Sequence, residues 1–174
     1  MNYFELYGLP VGFHPDQQLV KQKFYELSKK YHPDFYINES EEKQQEVLEL
    51  STLNNKAFQV LKDPQKLLHY VLTLKNELVE GENYTLPQNF LMEMMDINET
   101  LMDLEFDANP DKMEQLKSEI ATIAESLATE LSALTLKFAQ SPEDEQAIVL
   151  KAIKDNYYRN KYLYRIKESL SRLN

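Results

Sequence analysis

Apolar residues recur along this chain at helical spacings of three and four, and the places where that rhythm breaks separate seven helical segments. The first is short. Tyr3, Phe4 and Tyr7 can pack from one or two turns before Gly8 and Pro10 close the segment. Asp16 then offers an N-cap, and Val20, Phe24, Leu27 and Tyr31 follow on one face of a second helix. That helix should end at His32, because Pro33 disfavours helical geometry in the residue before it. Ser40 can cap a third helix, whose Val47, Leu50, Leu53, Ala57, Phe58 and Leu61 form a stripe that ends at Asp63-Pro64. Pro64 suits the first turn of a fourth helix with Leu67, Leu68, Val71 and Leu74 facing inward. Helices two and three are predicted to pair antiparallel.

Residues 76–85 lose the rhythm, and Glu80-Gly81-Glu82-Asn83 at their centre reads as a connector. The expected organisation is therefore a domain over residues 1–75, a linker over 76–86 and a three-helix bundle over 87–174. Pro87 opens a helix to about Glu105. A long helix follows Asn109-Pro110, with Met113, Leu116, Ile120, Ile123, Leu127, Leu131, Leu134 and Phe138 on its stripe, and a last helix runs from Ser141-Pro142 to Leu173.

The helix after Pro87 carries two apolar stripes. Phe90, Met94, Ile97, Leu101 and Leu104 make the core side, and Leu91, Met95 and Met102 lie about 120° around, flanked by Met92, Asp96 and Glu99. A bundle helix touches two neighbours, so the second stripe has two readings. It is either another core contact or a flexible Leu/Met docking face rimmed by carboxylates.

Composition narrows the class. With 3 Gly and 7 Pro among 174 residues and no strand-like pattern, the fold class is all-α. No run of ~18 apolar residues is present to span a membrane. The chain has no Cys, which removes disulfides, thiolate metal sites and thiol nucleophiles, and leaves no cysteine ligand for an iron-sulfur cluster. No cofactor is expected. Met1 leads into Tyr3, Phe4 and Leu6 with no Arg-rich or apolar leader, so a cytoplasmic protein is expected.

The net charge of −10 argues against general nucleic-acid binding. Its distribution adds detail: residues 76–146 hold 3 basic and 17 acidic groups, residues 147–174 hold 7 and 2, and the two stretches should attract each other. Residues 157–165 alternate tyrosines with cations as stacking sites for single strands do, but packing against the acidic middle explains them more simply. An enzyme would have to use His14, His32 and His69 with scattered carboxylates, since no phosphate loop or paired-His motif is present.

The motif with chemical content is Tyr31-His32-Pro33-Asp34, in the loop between the antiparallel helices. Alone it could be a helix-stop turn with a solvated His and Asp. Pro33 fixes one backbone dihedral, Asp34 can accept a charge-assisted hydrogen bond from a partner cation, and His32 offers directional ring contacts. Lys21, Lys23, Lys29 and Lys30 lie mostly off the apolar stripe and give the second helix a positive surface.

The order YFELYGLP, FYELSKKYHPD, LNNKAFQVLKDP and HYVLTL closely resembles the J domain of DnaJ-type co-chaperones over residues 1 to about 75. The resemblance implies a loop that engages the nucleotide-binding domain and interdomain linker of a DnaK-like chaperone and stimulates its ATP hydrolysis. His32, Pro33 and Asp34 would be the contact triad, and Lys21, Lys29 and Lys30 would face an acidic patch on the chaperone. Two positions depart from the family pattern. Phe35 stands where many J domains have Lys, and Leu67 where helix four often has Arg.

The chain lacks the Gly/Phe-rich segment and cysteine-rich repeats of general J proteins. Its segment FLMEMMDINETL resembles the helix by which HscB-type proteins hold the iron-sulfur scaffold. That resemblance implies scaffold contacts at Leu91, Met92, Met95, Asp96 and Glu99, with Tyr158 from the last helix, and two partners: a DnaK/HscA-like ATPase and an IscU-like scaffold. The protein would then be a co-chaperone and not an enzyme. A J-domain adaptor for a different client is the alternative.

Overall fold

A computed structural model describes residues 1–173. Its helices are α1 (Tyr3–Tyr7), α2 (Gln17–Lys30), α3 (Glu41–Leu61), α4 (Pro64–Leu74), α5 (Gln88–Phe106), α6 (Pro110–Gln140) and α7 (Glu143–Ser171), with a 3₁₀ turn over Pro33–Tyr36. The described residues form no strand, as the composition requires.

The helix starts follow local chemistry. Asn2 and Glu5 form a capping box, Asp16 accepts from the Gln18 and Leu19 amides, Ser40 from Lys43, Asp63 from Gln65 and Lys66, and Asn109 from Lys112. Gly8 ends α1 in the left-handed region at φ 64°, where its N–H returns to the carbonyls of α1. Three boundaries differ from expectation, the last helix ending at Ser171 rather than Leu173. Pro87 sits just outside α5 instead of opening it, and α2 stops at Lys30, with Tyr31 as its cap. His32 is already extended, at φ −70° and ψ 126°. The steric demand of Pro33 on His32 thus ends the helix earlier.

The chain divides into two compact units, Met1–Leu78 and the residues from Val79 onward. In the first, Phe4, Tyr7, Val20, Ala57, Leu61, Leu67 and Val71 form the core. Leu67, where a polar tether between helices is common, is 4% exposed and packs in that core. A polar bridge also runs through it. Tyr7 donates to the Asn54 side-chain oxygen at 2.8 Å, and the Asn54 amide donates to Ser28 Oγ and the Phe24 carbonyl, both at 3.1 Å. Three helices are held by one side chain. Burial pushes the Tyr7 hydroxyl up to about 12.

In the second unit, Phe90, Met94, Ile97, Leu101 and Leu104 of α5 meet Leu116, Ile120 and Leu127 of α6 and Leu163, Ile166 and Leu170 of α7. Each such buried aliphatic side chain contributes roughly 1.5–3 kcal/mol. Asn156, fully buried, donates to the Leu127 carbonyl at 2.9 Å and to Glu130 at 2.8 Å, and accepts from Asn160. It locks α6 to α7 where an apolar residue would only pack.

The stretch 76–86 is not one loose connector. The amides of Glu77 and Leu78 bond back to the Leu72 carbonyl in the first unit. Glu82 and Tyr84 lie along α7 as a strap: Glu82 pairs with Lys154 at 3.0 Å, Tyr158 donates to Glu82 at 2.7 Å, and Tyr84 donates to Asp155 at 2.8 Å. Arg159 meets Glu130 at 2.6 Å and Asp155 at 2.7 Å. The acidic middle and the basic end do attract each other.

Candidate functional site

The His-Pro-Asp turn is held from both flanking helices. Tyr36 donates its hydroxyl to the Lys30 carbonyl at 2.7 Å, which ties the turn to the end of α2. On the other side the Gln44 amide of α3 donates to the Ile37 and Glu39 carbonyls, each at 3.1 Å. Within the turn, the Asp34 N–H donates to His32 Nδ1 at 3.3 Å and the Phe35 N–H to the His32 carbonyl at 3.1 Å. With Nδ1 accepting, the neutral ring carries its proton on Nε2, which becomes its donor. The Asp34 carboxylate lies 3.7 Å from His32 Nδ1 and is largely exposed.

His32, Pro33 and Asp34 are all exposed. The backbone is fixed while the side chains stay open, which is what a preformed contact needs. Phe35 is 73% exposed with its ring edge-on to His32 at 5.9 Å, so the departure from Lys puts an apolar face beside the triad. Lys21, Lys29 and Lys30 are exposed on α2, and none meets a carboxylate among the described residues; Lys23, by contrast, pairs with Glu26 at 3.4 Å. The turn thus follows directly on a helix that exposes Lys21, Lys29 and Lys30, and it presents the Asp34 carboxylate to solvent.

On α5 the second stripe is not a core contact. Met92 is 61% exposed, Met95 64% and Met102 58%, and Asp96 and Glu99 are exposed beside them, while Leu91 is half-buried. The bundle closes on the first stripe alone. Tyr158 is placed differently from the other five candidates: it is half-buried, its ring stacks on Tyr84 at 4.5 Å and 10°, and its hydroxyl is bound to Glu82. Burial first, and then the Glu82 hydrogen bond, push the Tyr158 hydroxyl up to about 12; the bonds from Tyr158 and then Lys154 hold the Glu82 carboxyl below its usual range. Leu91 and Tyr158 nonetheless line one groove between α5, α7 and the strap. The strap residues Glu82 and Tyr84 left no mark in the hydrophobic pattern, because they act through individual polar and ring contacts.

Among the described residues, no helix is long and apolar enough to cross a membrane. Residues 2–70 match the family model for the DnaJ domain, and residues 86–171 match that for the HSCB C-terminal oligomerisation domain. The co-chaperone protein HscB homolog of Vibrio cholerae is 38% identical over 112 residues, a stretch covering 64% of this chain and 66% of that relative. The homolog of Vibrio parahaemolyticus is 34% identical over 139 residues, covering 73% of this chain and 80% of its own length. The solved structure of chaperone HscB from Vibrio cholerae superposes with a TM-score of 0.63 at 26% identity, covering 99% of this chain and 96% of that one.

Proposed function

Because the chain belongs to the HscB family of J-domain co-chaperones, we propose that it stimulates ATP hydrolysis by a DnaK/HscA-like chaperone and delivers an IscU-like iron-sulfur scaffold to it in the cytoplasm. The observation that carries this reading is the rigid, open turn His32-Pro33-Asp34 together with the exposed Lys21, Lys29 and Lys30, which meet no carboxylate among the described residues. Asp34 accepts a hydrogen bond from a cation of the chaperone, His32 donates through Nε2, and Pro33 keeps the pair in register. The lysines raise the encounter rate and set orientation more than they add affinity.

The open face of α5 holds the scaffold through Leu91, Met92, Met95, Asp96 and Glu99, with Tyr158 at its margin. Two weak encounters then become one tethered event, because a scaffold held by this chain reaches the chaperone at raised effective concentration. The ATP chemistry belongs to the chaperone. The test is steady-state ATP hydrolysis by the DnaK-like chaperones of the same organism, with the scaffold present, for the protein and its His32→Gln variant. Stimulation that the variant loses supports the reading. No stimulation by either protein, where a known J protein succeeds, ends it, and intact stimulation without scaffold binding would point to a different client.

A further inference from the structure

The groove between α5, α7 and the strap has a chemistry that the Leu/Met face alone does not explain. It encloses about 410 Å³, has Leu86, Leu91, Tyr158 and Tyr162 among its apolar lining, and is bordered by Lys161 and Arg165, one turn apart on α7, and by Glu82, whose carboxylate is already taken by Lys154 and Tyr158. Both cations are exposed, and neither meets a carboxylate among the described residues. Their neighbourhood makes that notable. Residues 76–174 carry 19 acidic groups against 10 basic ones, and Lys112, Lys117, Lys154 and Arg159 have acidic partners. Lys161 and Arg165 are the cations without one that line a groove, since Lys137 and Lys167, also without a carboxylate partner among the described residues, do not line it. Lys161 instead leans toward the Tyr158 ring, its Nζ 5.9 Å from the centroid.

We infer that this groove receives a segment of the scaffold in which a carboxylate stands beside an apolar side chain, with Lys161 and Arg165 binding the carboxylate. The inference rests on the scaffold reading of α5 and extends it onto α7. Leu91 belongs both to the open stripe and to the groove, so a partner lying on the stripe also covers the groove mouth. The combined surface is polarised: Asp96 and Glu99 are carried by α5, Lys161 and Arg165 by α7, and Leu91 and Tyr158 line the groove. A partner with matching charges can sit only one way round, since the reversed pose would set like charges together. The site favours protein over a nucleic-acid strand because residues 76–174 as a whole carry an acidic excess and Leu91 joins the groove to the Leu/Met stripe of α5.

The experiment is calorimetric titration of the full-length protein with the iron-sulfur scaffold of the same organism, at low and at physiological salt. Lys161→Gln/Arg165→Gln should weaken binding about tenfold, since an exposed charge contact is worth a few-fold each. Lys161→Glu/Arg165→Glu should weaken it further, and the wild-type affinity should fall with added salt. Both positions are exposed, so melting temperatures should stay unchanged. Wild-type affinity in both double variants, with binding lost in Leu91→Ala, would overturn the inference and leave the scaffold reading intact. A wild-type protein that does not bind the scaffold removes both. Loss of single-stranded RNA binding in the Glu variant, without loss of scaffold binding, would also overturn it.

Discussion

In the N-terminal unit the triad proposed to meet the chaperone is consecutive in the chain and sits in a turn, whereas in the C-terminal unit the residues proposed to meet the scaffold are spread over nine positions of α5 and reach a second helix. The turn needs rigid support, and it has it: Tyr36 and Gln44 fix its backbone, and behind it Asn54 joins α1, α2 and α3. The face of α5 needs only a helix. Its methionines make no structural contact that the bundle depends on, and their flexibility lets them adapt to whatever covers them. Stability and contact are therefore coupled in the first unit and separate on the exposed face of α5, though not at Tyr158, which also holds the strap.

Mutations can break that contrast or sharpen it. The largest effect is expected from Asn54→Ala, which leaves the buried Tyr7 hydroxyl without its 2.8 Å acceptor and loosens α2 against α3. A loss of about 2–3 kcal/mol in urea unfolding is expected, accompanied by weaker ATPase stimulation. If stimulation stayed at the wild-type level after such a loss, the turn would not depend on its support. Met92→Ala/Met95→Ala should behave in the opposite way: about fivefold weaker scaffold binding with no change in unfolding midpoint, because both side chains are more than 60% exposed. A lowered midpoint would mean that the open face is structural after all.

The smallest expected effect concerns alkaline titration. Tyr7, Tyr84 and Tyr158 are each pushed up to about 12, in all three chiefly by burial and in the strap pair also by hydrogen bonds to carboxylates. The fold therefore favours their neutral forms, a stabilisation that is complete below the ordinary tyrosine value near 10 and is lost as pH rises from there towards 12. Tyrosinate absorbance should show late-titrating groups among the 11 tyrosines. Tyr84→Phe/Tyr158→Phe should remove the share of those two rings and leave those of Tyr7, Tyr70 and Tyr157, which burial also pushes up.

Much of this was legible in the chain itself. Asp16, Ser40, Asp63 and Asn109 announced their helices because capping is a local contest between one side chain and nearby amides. The turn at His32-Pro33-Asp34 was legible for the same reason, lying at a helix end that Pro33 forces. The second stripe of α5 stayed ambiguous because periodicity says which residues share a face but not which face meets a neighbour. Asn54 and Asn156 had a signal that went unused: each is a polar residue on an apolar stripe, in the series Leu50, Asn54, Ala57, Leu61 and Val149, Ile153, Asn156, Leu163. The strap had none. Glu82 and Tyr84 sit in a stretch without rhythm, and only a folded α7 gives them partners.

The openness of Met92, Met95 and Met102 has a second face. A thioether that a partner can reach is also one that peroxide can reach, and its sulfoxide is polar and chiral where the contact needs a pliable apolar group. Met94, between two of them in the chain but with none of its surface exposed, is shielded by the bundle core. Oxidant stress would therefore degrade the proposed docking face while sparing the fold beneath it, and a reductase for methionine sulfoxide would restore it without resynthesis of the chain.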